Sequence, residues 1–97
     1  MPRERENSIV RAILKYLNTL PQARARKVHG DIYNPGEPDI DAVIAGRAVK
    51  LEVKAADNTP TPIQVLTLKK WAAAGAVTGV VRSIEETQYL LRQANVI

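Results

Sequence analysis

Pro38-Asp39 is followed, fourteen residues on, by Glu52-Val53-Lys54. The two segments supply two carboxylates and an amine. Glu52 and Lys54 are two residues apart, so on a strand their side chains leave the same face. With Asp39 on the neighbouring strand, all three heads would converge. Hydrolysis of a phosphodiester needs a nucleophilic water and stabilised charge on the phosphoryl and leaving oxygens. Mg²⁺ or Mn²⁺ supplies both and is held by hard oxygen ligands. Asp39 and Glu52 are the candidate ligands, with the Val53 carbonyl as a third. Lys54 is placed to orient the water or to stabilise charge on the phosphate. It would act as a general base only with a depressed pKa. An ordinary reading stands beside this one. Glu-x-Lys on a strand is commonly a surface ion pair of small worth, and an Asp after Pro is a common turn acid.

The elements that must position these residues follow from pattern. Residues 4–20 carry Ile9, Ile13, Tyr16, Leu17 and Leu20 at helical spacing, with Val10 and Leu14 widening the stripe, and Pro21 ends the run. Residues 22–30 read as a strand with Arg24 and Arg26 on one side. Residues 30–38 are a loop by composition. Residues 39–44 alternate, Ala45-Gly46-Arg47 forms a hairpin tip, and residues 48–54 return as a strand. Thr61-Pro62-Ile63-Gln64 has the order of a capped helix start, with Thr61 as N-cap and Pro62 in the first position. That helix runs to residue 74 and stops at Gly75. Residues 76–82 form a buried strand. Ser83 caps the last helix, with Glu86 completing a capping box. The order is α-β-β-β-α-β-α. A helix joins the third and fourth strands, so a right-handed parallel crossover is expected. The expected fold is α/β: a small mixed sheet with helices on both faces.

The chain of 97 residues is read as a single domain, 1–97, with a thin core. It has no Phe and no Cys, so the core is aliphatic and neither a disulfide frame nor a thiolate metal site is available. The single His, His29, excludes a multi-histidine zinc site. The charged start and the lack of a long apolar run predict a soluble, cytoplasmic protein without a signal peptide or membrane span. Residues 1–27 hold seven Lys/Arg against two Glu, while residues 28–97 hold seven against eight acids. A basic flank beside an acidic pocket suits a polyanion. A solvated basic surface would look the same.

A resemblance rests on Lys27-Val28-His29-Gly30, Gly36-Glu37-Pro38-Asp39-Ile40, Gly46-Arg47, Leu51-Glu52-Val53-Lys54, Thr61-Pro62-Ile63-Gln64 and Ala74-Gly75-Ala76. In order and spacing these resemble the VRR-NUC family, the virus-type replication-repair nucleases of the PD-(D/E)XK superfamily. The likeness runs from Glu6 to about Leu91. It implies an αβββαβ restriction-endonuclease-like core. It implies Asp39 and Glu52 as metal ligands, Lys54 as the catalytic Lys, and Gln64 as the Gln opening the helix after the third strand. Glu6 resembles the first-helix acid that reaches toward the site, with Glu4 as its rival. Each has a plain alternative: Gln64 as half of a capping box, Glu6 as a first-turn acid favoured by the helix dipole, Lys27 and His29 as exposed strand residues. Trp71 is read as core, on a stripe with Leu68 and Ala72.

The expectation is therefore a Mg²⁺- or Mn²⁺-dependent DNA endonuclease. Arg24, Arg26, Lys27, His29 and Lys69 are the candidate contacts to the DNA backbone. No sequence-reading module is visible, which favours structure-selective cutting of branched DNA, such as a Holliday junction, in repair or recombination. A homodimer would supply the two sites a symmetric junction needs. The alternatives are a non-catalytic DNA-binding module of the same fold and a nuclease subunit that needs a partner.

Overall fold

The computed structural model describes residues 2–30 and 32–97, with side chains from Arg5 onward. The elements are α1 (Pro2–Leu17), β1 (Ala23–Lys27), β2 (Ile40–Ile44), β3 (Arg47–Val53), α2 (Pro62–Ala73), β4 (Val77–Val81) and α3 (Ile84–Gln93). The expected order is the observed one. The strands lie in the order β1-β2-β3-β4, antiparallel for the first two pairs and parallel for β3 with β4.

One face of the sheet carries the main core. Ile40, Ala42 and Ile44 of β2, Val49, Leu51 and Val53 of β3, and Val77 and Val81 of β4 pack there with Val10, Ile13 and Leu17 of α1 and Leu91 of α3. Aliphatic alternation on the strands and a 3–4 stripe on α1 are sufficient to build it. Gly79 fits the same face because a Cβ there would stand 2.7 Å from Leu90. The other face carries the polar alternates, among them Asp41, Lys50 and Glu52. Helix α2 covers part of it, with Trp71 over Lys50, the ammonium 3.9 Å from the ring centre.

The hairpin between β2 and β3 closes in two residues, with Ile44 paired to Arg47, so Arg47 opens β3 instead of forming part of the tip. Ala45 and Gly46 both have positive φ (48° and 82°), the backbone of a type I′ turn. This tight turn fixes the register, placing Asp41 opposite Lys50 and, one step on, Asp39 opposite Glu52.

Local differences from the sequence reading have simple causes. Helix α1 stops at Leu17 rather than residue 20. Thr19 and Leu20 donate to Tyr16 and Leu17 in a tightened last turn, and Asn18 turns its side chain to both main-chain groups of Ala25. The capping box of α2 is complete, with Gln64 Oε1 accepting from Thr61 N–H at 2.9 Å. That of α3 is half formed. Ser83 Oγ accepts from Glu86 N–H, but Glu86 Oε1 accepts from Arg82 N–H (2.9 Å), one residue before the cap. Trp71 is half-buried and lies outside the main core, and Ala72 is exposed. Among the described residues no helix is long and apolar enough to cross a membrane.

Candidate active site

The β2–β3 register brings Asp39 and Glu52 together at the end of the hairpin away from its turn. Asp39 Oδ2 accepts from Val53 N–H at 2.8 Å. The N–H and C=O of a strand residue leave the same edge, so the Val53 carbonyl faces the same side as Asp39. Lys54 Nζ stands 3.4 Å from Glu52 Oε2. The three residues of the motif thus meet at one place, as their spacing predicts.

Their environment differs from that of a surface ion pair. Glu52 is 1% exposed and Lys54 8%. Burial pushes the Glu52 carboxyl up to about 8, the nearby Asp39 carboxylate adds to the rise, and the Lys54 ammonium opposes it. Glu52 Oε1 is buried and has no hydrogen-bond partner among the described residues. An ionised carboxylate in such a place needs a cation or a donor, and the contact with the Lys54 ammonium is made by Oε2, not Oε1. The donor set left open is Glu52 Oε1, Asp39 and the Val53 carbonyl. All are hard oxygens, so the site suits Mg²⁺ or Mn²⁺ in kind. Among the described residues no third Asp, Glu, His or Cys joins the pair, so the Val53 carbonyl is the remaining protein oxygen that could complete a donor set.

The loop before Asp39 is held from several sides. Val28 N–H donates to the Asp39 carbonyl at 2.8 Å. Gly36 (φ 80°) lies so close to the main chain of Ile63 that a Cβ would sit 3.1 Å from it, so only Gly lets the loop rest on the start of α2. Trp71 Nε1–H donates to Glu37 Oε1 (3.3 Å). The same indole covers Lys50, whose ammonium lies 2.7 Å from Asp41. Trp71 is therefore a clamp between the loop, α2 and β3. Asp39 and Gln64 line a polar hollow of about 320 Å³ with Val28, Gly30, Gly36 and Glu37. Gln64 caps its helix and borders the site at once.

Glu6 is 5% exposed. Its Oε2 accepts from Ala55 N–H (3.3 Å) and Asn58 Nδ2 (2.6 Å). These bonds tie α1 to the loop that follows Lys54. The side chain of Glu4 lies outside the described residues. Arg24 and Arg26 are exposed on the polar face of β1 and border a shallow groove with Asp41 and Val43. Arg26 lies 3.4 Å from Asp41. Lys27 turns to the opposite side and donates to Asn7 Oδ1 (3.2 Å). His29 is exposed in the loop after β1, and Lys69 is exposed on α2.

The sequence reading missed the Asp41–Lys50–Trp71–Glu37 chain and Asn58. The first was within reach, because a two-residue turn at Ala45-Gly46 dictates that Asp41 faces Lys50. Asn58 had no signal, since only the packing of α1 brings Glu6 to it.

The sheet order and the parallel crossover define an α/β fold, a small mixed sheet flanked by helices. Within that class the chain has the VRR-NUC fold. A solved structure described as a VRR_NUC domain superposes with a TM-score of 0.75 at 22% identity, covering 91% of this chain and 95% of that one. Another, described as a VRR_NUC domain protein, gives 0.73 at 17% identity, covering 91% and 85%. No family model matches the sequence, and no curated protein matches it.

Proposed function

We propose that this chain is a metal-dependent endodeoxyribonuclease selective for branched DNA, with the four-way junction as favoured substrate. The observation that carries the reading is the buried, unpartnered Glu52 oxygen beside Asp39 and Lys54. A fold needs no such arrangement, whereas a divalent cation would satisfy it.

Asp39, Glu52 and the Val53 carbonyl would hold Mg²⁺ or Mn²⁺. When bound, the ion supplies a water of lowered pKa and a Lewis acid for the phosphoryl oxygens. In hydrolysis the water oxygen bonds to phosphorus, one P–O ester bond breaks, and the leaving oxygen takes a proton. Lys54 stabilises charge on the phosphoryl group and orients the attacking water. Its ammonium is already in place, so no reorganisation is needed at the moment of reaction. Arg24 and Arg26 bind phosphates along the open face of β1, with the exposed Lys69 and His29 as further backbone contacts. Lys27, bonded to Asn7, is the weakest of the proposed contacts. Two copies of the site, related by a two-fold axis, would match the symmetry of the junction.

The test is cleavage of labelled four-way junctions, flaps and forks by the purified protein, in Mn²⁺ and in EDTA. Metal-dependent cutting of the junction is expected. It should fall by at least about 10³-fold in Asp39→Ala and Lys54→Ala, with junction binding and the folded state kept. Parent-like cutting by both variants, or undiminished cutting in EDTA, would refute the assignment.

A further inference from the structure

Ile32 and Tyr33 are each 84% exposed, the two most open of the large apolar side chains among the described residues. They are neighbours on the loop that leads from β1 into Asp39. A single exposed apolar residue needs no explanation, but this pair stands beside the candidate site. Ile32 lines the same hollow of about 320 Å³ as Asp39 and Gln64. The loop that carries the pair is fixed at its base. Val28 N–H donates to the Asp39 carbonyl (2.8 Å), which ties its two ends together. Gly36 rests on Ile63, and Glu37 accepts from Trp71. The hydrophobic effect favours covering such a pair, and the fold leaves it open.

The hollow has the size and lining of a site for a small flat molecule. Its volume falls in the range of small-molecule sites, roughly 300–1,000 Å³. Ile32 supplies an apolar wall. Asn34 and Gln64 line it with side-chain amides, which carry both donors and acceptors. Glu37 and Asp39 border it with negative charge, so an anion is disfavoured there and a neutral ring is not. A nucleobase has this combination: a flat apolar face, an amide-like edge and no charge.

We infer that the hollow and the Ile32-Tyr33 tip bind a nucleobase unstacked at a DNA branch, within one nucleotide of the phosphate at Asp39. This deepens the branched-DNA reading above and rests on it. The base enters the hollow with one face on Ile32 and its edge toward the amides, and the Tyr33 ring closes over the other face. Every base has a π-face, so the contact carries no sequence preference. Taking a base out of the stack costs least where stacking is already interrupted. A continuous duplex resists it more than a branch does. The loop thus turns a difference in DNA stacking into a difference in affinity, while Asp39, Glu52 and Lys54 do the chemistry on whatever phosphate the base brings with it.

The test is a binding cycle between protein and DNA, in EDTA so that no strand is cut. Affinities are read by fluorescence anisotropy for a four-way junction, the same junction made abasic at the branch point, and a continuous duplex. The parent should prefer the intact junction to the duplex. Tyr33→Ala should weaken binding of the intact junction by about 5- to 150-fold, the range for losing one stacked aromatic. Ile32→Ala should act in the same direction by a smaller factor, and Tyr33→Phe, which keeps the ring, should match the parent. Duplex binding should be unchanged in all three. The abasic junction should bind the parent more weakly, and Tyr33→Ala should weaken it little further.

Equal losses by Tyr33→Ala on the intact and abasic junctions would place the effect on the backbone or the fold and overturn the inference. Parent-like junction binding by both alanine variants would do the same, as would a parent that binds junction and duplex alike. A Tyr33→Ala protein of altered mass in solution would assign the pair to a contact between copies, again against the inference. Coupling between Tyr33 and the branch base without metal-dependent cutting would sink the nuclease reading and leave this site standing. Metal-dependent cutting without that coupling would do the reverse.

Discussion

Replacing Glu52 by Gln should stabilise the metal-free protein at alkaline pH and remove its response to Mg²⁺. Burial, with Asp39 beside it, raises the Glu52 pKa to about 8, whereas a Glu in an unfolded chain titrates near ~4.3. Between those two values the folded protein keeps a proton that the unfolded chain has released. Stability is then greatest below the unfolded pKa, falls as pH rises toward the folded one, and levels off above it. Each pKa unit is about 1.4 kcal/mol, so the full shift sets a ceiling of ~5 kcal/mol. Water drawn toward the ionised carboxylate relaxes this to ~2 kcal/mol. Gln copies the shape of the protonated acid and never ionises, so Glu52→Gln avoids that loss. In EDTA the parent and variant should melt together at about pH 4, and the variant should melt on the order of 10 °C higher at about pH 8.5. Saturating Mg²⁺ at the higher pH should raise the parent melting temperature and leave the variant unmoved. A constant difference across pH would show that ionising Glu52 costs nothing in the fold. An equal Mg²⁺ shift in both proteins would show that Glu52 is not a ligand.

Two further outcomes follow from the placement of side chains. Arg24→Ala and Arg26→Ala should each lower the salt dependence of junction binding by about one unit of log–log slope, while Lys27→Ala leaves it unchanged, as read from binding isotherms over a salt series. Glu6→Ala should destabilise the fold by about 1–3 kcal/mol, because the Ala55 N–H loses its buried acceptor. Glu6→Gln should recover most of that loss in urea melts and retain cleavage; a folded Glu6→Gln that binds the junction but cannot cut would move Glu6 into the catalytic set.

The parts of the site that were legible in the sequence are those governed by local rules. Strand alternation and a two-residue turn are enough to put Asp39, Glu52 and Lys54 on one face, because side chains two apart cannot leave different faces. The cap at Thr61-Pro62-Ile63-Gln64 is equally local, and its capping box formed as read. Burial of the polar face was not legible. Lys50-Leu51-Glu52-Val53-Lys54 alternates like a half-exposed strand, and only tertiary packing leaves Glu52 buried. Trp71 misled for the same reason. Its helical stripe suggests core, but the face it covers is the charged one, so its partners are a carboxylate and an ammonium. Lys27 shares the basic run with Arg24 and Arg26, yet strand parity sends it to the other side.

The tight turn at Ala45-Gly46 bears on how the site is assembled along the chain. Asp39, Glu52 and Lys54 lie within one hairpin, and bringing them together closes the shortest loop between any two strands. Loop-closure entropy grows with the length of chain enclosed, so this convergence is the least costly of the tertiary contacts the site requires. The parallel joining of β3 to β4 must enclose all of α2, and the bonds from Glu6 to Ala55 and Asn58 span half the sequence. The meeting of these three side chains is therefore specified by neighbours in sequence. The enclosure that raises the Glu52 pKa is specified by distant ones, so changes in α1 or α2 can retune the site without displacing its three heads from one another.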